Sequence, residues 1–203
     1  MSLDTARDVA VSVSALVAAL LAFLGVNAWR RQLKGTTEYQ IALKTLKAIY
    51  ALRESIIEAR GRFAAVPYPG QRPSGERGHA ESDVLDAAQS YRQRLTRVGK
   101  CRADLLLAEQ EALAVWGEEA RDALAPLLSA VDELFAAYDQ YFDAELTRAR
   151  KKDREGKEEE PGPDDVVMYR TLYSAADEDR DPFGKRIARS SSHAEGFFRD
   201  RLK

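Results

Sequence analysis

The stretch 84-VLDAAQSYRQRLTRVGKCRADLLLAEQEALAVW-116 decides the fold class. Val84, Ala88, Tyr91, Leu95, Val98, Leu105, Ala112 and Trp116 recur at alternating spacings of about four and three residues, the periodicity of a helix that buries one stripe against other helices. Arg102 and Glu109 interrupt that stripe as polar intrusions. Ser82 or Asp83 is a candidate cap for this helix, because each side chain can accept from an unpaired N–H of the first turn.

Outward from this helix, two neighbours follow the same rule. Downstream, Trp116-Gly117 reads as a turn, and Leu124, Leu127, Leu128, Val131, Leu134, Phe135, Tyr138, Tyr141 and Phe142 form the apolar face of a helix over 118–150. Pro126 belongs in a first turn, so the spacing predicts a short irregular step after Gly117 and a main helix from near Pro126. Upstream, a helix over 36–65 places Tyr39, Leu43, Leu46, Tyr50, Ile57 and Ala64 on its seam. Ala42, Ile49, Ile56 and Phe63 widen the stripe, and Arg53 and Arg60 interrupt it. Residues 66–80, VPYPGQRPSGERGHA, hold prolines and glycines that forbid regular structure and read as an exposed loop. Thr37 and Gln40 have capping-box spacing after Gly35; either a new helix starts there or the preceding helix runs straight on.

Further upstream, Val9–Trp29 reads VAVSVSALVAALLAFLGVNAW without a charge. About 21 residues make roughly 31 Å of helix, the thickness of a bilayer's hydrocarbon core. Val26-Asn27-Ala28 could pass as a signal-peptide cleavage site. The run is longer than a signal peptide's apolar region and its leading flank is not basic, so an uncleaved anchor is expected. Arg30, Arg31 and Lys34 follow the run against Arg7 before it, and Trp29 stands where an interfacial aromatic belongs. The positive-inside rule then puts the bulk of the chain in the cytoplasm and the N-terminus outside. Ser14, Ala18 and Ala22, with Gly25 nearby, have the spacing of small residues that lets membrane helices approach closely.

At the other end, 151-KKDREGKEEEPGP-163 has no apolar residue and reads as a helix end and linker. Val166–Tyr173 is short and apolar, and either an extended segment or a helical turn or two suits it. Asp181-Pro182 starts a last helix whose stripe is Phe183, Ile187, Ala194, Phe197, Phe198 and Leu202. The fold expected is all-α: one N-terminal transmembrane helix, then an antiparallel three-helix, coiled-coil-like bundle with a short C-terminal helix packed on it. The expected divisions are an external tail over 1–8, the span over 9–29, a cytoplasmic bundle over 30–150, the linker over 151–163 and a C-terminal segment over 164–203. In that arrangement helix two returns toward the membrane, which brings Glu118, Glu119 and Asp122 near Arg30, Arg31 and Lys34.

Composition excludes several functions. The 31 basic and 33 acidic residues nearly cancel, unlike the basic excess of a nucleic-acid-binding domain. One cysteine, Cys101, and two histidines, His79 and His193, do not make a His/Cys zinc site. Asp177, Asp179 and Asp181 begin like a calcium loop, but Pro182 and Ala188 stand where glycine and glutamate are required. Ser190-Ser191-Ser192-His193 lies inside an amphipathic helix, reads as a polar helix face, and lacks the strand–turn–helix setting of a hydrolase nucleophile. Residues 70–78 lack the Gly-Lys-Ser/Thr ending of a phosphate loop. No cofactor and no catalytic set is expected. Arg53, Arg60, Arg102 and Glu109 are the candidate core ion pairs, since a charge in a bundle core must be paired. Arg60 is expected to meet the start of helix two near Asp86, and Arg102 to meet Asp132 or Glu133. An anion-binding cleft between helices is the alternative use of these arginines.

Three short motifs carry a resemblance: Trp29-Arg30-Arg31-Gln32-Leu33-Lys34-Gly35-Thr36, Ala114-Val115-Trp116-Gly117, and Asp181-Pro182-Phe183. With them the chain resembles a set of uncharacterised small bacterial membrane proteins with one N-terminal span and a cytoplasmic helical domain. The resemblance implies that architecture and a bacterial source, and carries over no active-site residue. The expected function is a non-enzymatic, membrane-anchored helical module that meets the lipid bilayer and binds a protein partner or a second copy of itself. A sensor or effector of a bacterial stress or defence pathway is the first alternative, and a membrane-tethered enzyme the second.

Overall fold

Hydrophobic periodicity builds a set of long helices in the computed structural model, which describes residues 35–61, 80–156, 160–173 and 181–202, with Phe23 and Trp29. The fold is all-α, with no strand among the described residues. The helices are α1 over 35–60, α2 Ala80–Trp116, α3 Glu118–Glu155, α4 Pro163–Leu172 and α5 Pro182–Asp200. Two compact units divide the chain, Met1–Ile41 and Ala42–Lys203. The second holds the bundle, with α1 entering it from Ala42.

Side-chain pairs fix the register of that bundle. Lys44 Nζ meets Glu111 Oε1 at 2.5 Å, and Glu58 pairs with Arg97, so α1 and α2 are antiparallel. Arg150 to Glu81 at 2.8 Å and Arg102 to Asp132 at 2.8 Å set α3 antiparallel to α2. Arg148 to Asp165 at 2.6 Å lays α4 along the C-terminal part of α3. Arg186 to Glu133 at 2.5 Å and Arg201 to Glu119 at 3.0 Å lay α5 along its N-terminal part. Arg53 to Glu195 at 3.1 Å closes α5 onto α1. The C-terminal helices thus supply a full fourth column, where the sequence suggested three helices with one packed outside.

The core follows the seams. Val84, Tyr91, Leu95, Val98, Leu105 and Ala112 of α2 are buried, as are Leu124, Leu127, Val131, Leu134, Tyr141 and Phe142 of α3. The face of α1 is rotated from the sequence reading. Ala42, Leu46, Ile49, Leu52, Ile56 and Ala59 are buried, whereas Tyr39, Tyr50 and Ile57 are 48%, 37% and 55% exposed. Ala42, Ile49 and Ile56, expected at the edge of the stripe, are at its centre, and Arg53 and Arg60 share their face. In α5, Ser190 and Ser191 are buried within the stripe while Ser192 and His193 are exposed, so only half of that run is the polar face expected.

Several boundaries also move. Gly35, Thr36 and Thr37 are helical, so Thr37 does not cap a new helix. α1 ends at 60 rather than 65, and α2 begins at Ala80, ahead of the proposed caps Ser82 and Asp83. α3 runs unbroken from Glu118 with Pro126 inside it, in place of the irregular step expected. The missing N–H of Pro126 frees the carbonyl of Asp122, and both residues are exposed to water that can satisfy it. Residues 151–155 stay helical, and Val166–Leu172 is part of a helix. Among the described residues no helix is long and apolar enough to cross a membrane. The Val9–Trp29 run, its small-residue face and the loop at 66–79 fall outside the described residues, apart from Phe23 and Trp29, which are helical and exposed.

A single residue reverses the chain between α2 and α3. Gly117 adopts φ 62° and ψ −149°, a region open to glycine and closed to other residues. Its N–H donates to Leu113 O at 2.9 Å and its carbonyl accepts from Ala120 N at 3.2 Å, so it closes one helix and opens the next. Nothing lies within 4 Å of a Cβ placed there, so backbone strain is the whole effect of a substitution. Gly117→Ala should lower stability by about 1–3 kcal/mol, read as a fall in melting temperature with helix content retained.

Candidate functional site

The most demanding side chain in the bundle is Arg60, in the last turn of α1 and 4% exposed. A guanidinium carries five N–H donors and keeps its charge, so burial requires an acceptor for each edge. Its Nη1 donates to Asp181 Oδ2 at 3.0 Å and its Nη2 to Asp181 Oδ1 at 2.7 Å, a two-pronged pair. Nε donates to Thr171 O at 2.8 Å, and Nη2 reaches Arg170 O at 3.0 Å and Tyr173 O at 3.5 Å. The guanidinium carbon stands 4.7 Å from the centre of the Phe183 ring.

These partners complete two helix ends. The last carbonyls of a helix lack partners within it. In α4, Tyr169 O accepts from Tyr173 N at 2.9 Å, Arg170 O and Thr171 O accept from Arg60, and Leu172 O accepts from Tyr91 Oη at 2.6 Å. The first N–H groups of α5 are met by Asp181, whose Oδ1 accepts from Gly184 N at 2.8 Å. A positive group at a helix C-terminus and a carboxylate at an N-terminus both favour the helix dipoles. Gly184 is required here: a Cβ at that position would overlap the Asp181 carboxylate and stand 3.2 Å from Arg60 Nη1.

An aromatic cluster surrounds the node. Tyr91 stacks on Tyr138 at 5.7 Å and meets Tyr173 edge-on at 5.4 Å, and Tyr169 lies 4.6 Å from Tyr173. Arg94 sits 5.1 Å over the Tyr91 ring and donates to Ala59 O at 3.3 Å. Burial pushes the Tyr91 phenol above its ordinary pKa, against the pull of Arg60 and Arg94. Burial also raises Tyr173, helped by Tyr91 and Tyr141. The Tyr173 hydroxyl is buried without a hydrogen-bond partner.

The four charged seam residues have different fates. Arg60 pairs with Asp181, and the expected meeting with Asp86 does not occur. α2 overshoots α1, so that the level of Arg60 faces Arg94 and Tyr91 while Asp86 is exposed. Arg102 meets Asp132, with side chains 33% and 60% exposed, at an open cavity of about 360 Å³ that Gly99 and Phe135 also line. Arg53 lies 5.5 Å over the Tyr50 ring and pairs with Glu195 at the rim. Glu109 is buried, with Arg121 Nε at 4.0 Å. Glu118 pairs with Arg121 and Glu119 with Arg201, while Arg30, Arg31 and Lys34 lie outside the described residues, as does their expected meeting with these acids. Trp29 is 62% exposed.

Sequence reasoning missed the second duty of Asp181, which it read as a cap alone. It also missed Arg148, where burial opposes the charge but the hydrogen bond to Asp165, with Glu145 close by, outweighs it and raises the pKa. Asp165 Oδ2 also accepts from Gly162 N at 2.7 Å, capping α4. Cys101 is half-buried and free. Among the described residues no group of His, Cys, Asp and Glu could hold a metal ion. No family model, curated protein or solved structure matches the chain.

Replacing Arg60 with Met strands the Asp181 carboxylate and the carbonyls of Arg170, Thr171 and Tyr173 in the core and should cost about 3–5 kcal/mol, read by denaturant unfolding. The tyrosines separate by their partners. Tyr91→Phe leaves Leu172 O unpaired and should cost about 1–3 kcal/mol, whereas Tyr173→Phe removes an unpaired hydroxyl and should be neutral or stabilising. Both phenols titrate above their unfolded values. The stability they contribute is therefore complete below about pH 10 and is lost as pH rises beyond it. Melting temperature should fall above about pH 10, and less steeply in Tyr173→Phe; an equal slope in both proteins would refute the assignment.

Proposed function

We propose that the protein is a membrane-anchored helical interaction module without an enzymatic activity, held by Val9–Trp29 with its bundle in the cytoplasm. The observation that carries the reading is the uncharged Val9–Trp29 run followed at once by Arg30, Arg31 and Lys34, the pattern of a single span with a cytoplasmic C-terminal side. Trp29 serves as the interfacial anchor. The partner is a protein or a second copy of the chain. In support, Ile57 on α1 leaves apolar surface uncovered at 55% exposure, and the side chains of the bundle are engaged in holding helices together. The bundle's charge is nearly neutral, which suits recognition of protein surfaces rather than nucleic acid.

Fusion at the C-terminus tests sidedness. A fluorescent protein joined after Lys203 should glow in bacterial cells and alkaline phosphatase at the same point should be inactive. Alkaline carbonate washing should leave the chain in the membrane fraction. Release by carbonate, or an active phosphatase, would overturn the anchor and its orientation respectively. Sizing in detergent and affinity capture from native membranes then read the partner. A monomer with no stoichiometric co-purifying protein would refute the interaction module.

A further inference from the structure

We propose that α4 and α5 form a releasable strap, latched to the rest of the bundle by Arg60 and able to detach as one unit while α1, α2 and α3 stay folded. Three independent observations point to it. The first is where the attachments lie. Arg60 from α1 and Tyr91 from α2 hold the C-terminal carbonyls of α4, and Arg60 at the same time holds Asp181, the cap of α5. One guanidinium therefore fastens the facing ends of both helices, and the remaining polar attachments, Arg148 to Asp165, Arg53 to Glu195, Arg186 to Glu133 and Arg201 to Glu119, each hold one helix alone.

The second is where unsatisfied groups lie. Among the described buried side chains, hydrogen-bond partners are lacking at Tyr173 Oη, Ser191 Oγ, Arg148 Nε and Arg102 Nε. Tyr173 closes α4, Ser191 is fully buried in α5, and Arg148 is the α3 residue that receives α4. Apart from Arg102, each belongs to the contact between the strap and the bundle and would regain water on release. A buried orphan carries its desolvation penalty only while buried, so docking is opposed at the surface where the strap sits. The third is the composition of that surface. α5 buries Ser190 and Ser191 beside Phe183, Ile187, Ala194 and Phe198, whereas α3 buries four leucines with Val131, Tyr138, Tyr141 and Phe142. Regions with less apolar burial open at lower free energy than the global transition. The chain also breaks cleanly before the strap, at Gly156 in the left-handed region with φ 65°. Release uncovers the flanks of α1 and α3 that α5 covers.

Hydrogen exchange on the full chain in mild detergent, read by mass spectrometry, tests this. In the natural protein, amides of Pro163–Leu172 and Pro182–Asp200 should share one exchange rate, at least about 10-fold faster than the slowest amides of 91–142, with a weaker denaturant dependence. In Arg60→Met, α4 and α5 should lose protection together while 91–142 keeps it. Uniform slow exchange across all helices of the natural protein overturns the strap. So does retention of α4 and α5 protection in Arg60→Met, and so does simultaneous loss from every helix of that variant. Because the readout is local opening, it stands or fails separately from the membrane anchor and from any partner.

Discussion

A charged guanidinium inside a helical bundle is tolerable only if every edge of it is answered, and Arg60 imposes that condition on the fold. Its acceptors come from a carboxylate at the start of α5 and from carbonyls at the end of α4. Neither helix end is complete without it. The arrangement places opposite helix poles around one cation, with the negative end of α4 and a capping carboxylate both directed at it. The remaining aromatic side chains fill the space about the node, and Tyr91 supplies the last missing donor. The charge therefore does more than survive burial. It fixes where the fourth column begins and how high it stands against the other three.

Much of the architecture was legible from periodicity. The stripes of α2 and α3 are long and rich in large apolar residues, and nearly all the positions read as buried are buried. α1 was harder, because apolar residues occupy more than half its circumference. Ile57 is as apolar as Ile49 and Ile56, and only the neighbours decide which of them turns inward. α4 carries too few residues for a period to show. Pro126 misled for a physical reason: a proline inside a helix is costly where the freed carbonyl is buried, and here it meets water. The turn at Gly117 and the cap at Asp181-Pro182 were readable since each depends on the local backbone alone.

The node was half legible. Arg60 on an apolar seam announced that a partner was needed, but the partner depends on register and on a fourth column. An antiparallel α1–α2 pair of equal reach would have put Asp86 opposite it. The real α2 extends past α1, and that excess length packs on α3 instead, where Arg150 meets Glu81 and Tyr138 meets Ala88 O. Arg102 and Asp132 were found because they lie within a hairpin whose single-residue turn leaves little freedom in register. Arg60 and Asp181 have no such tether, and no sequence pattern links them.

That distance along the chain has a consequence for the order in which the molecule can be made. Asp181 follows Arg60 by 121 residues, and synthesis at about 5–20 residues per second separates them by roughly 6–24 s. Through that interval α1 presents a cation on its inward face with no counter-charge to receive it. Helices α2 and α3, joined by one glycine, form a contact of low loop-closure cost and can assemble meanwhile. The nascent chain therefore carries a hairpin waiting for its last column, with Arg60 wet until the C-terminal helix leaves the ribosome.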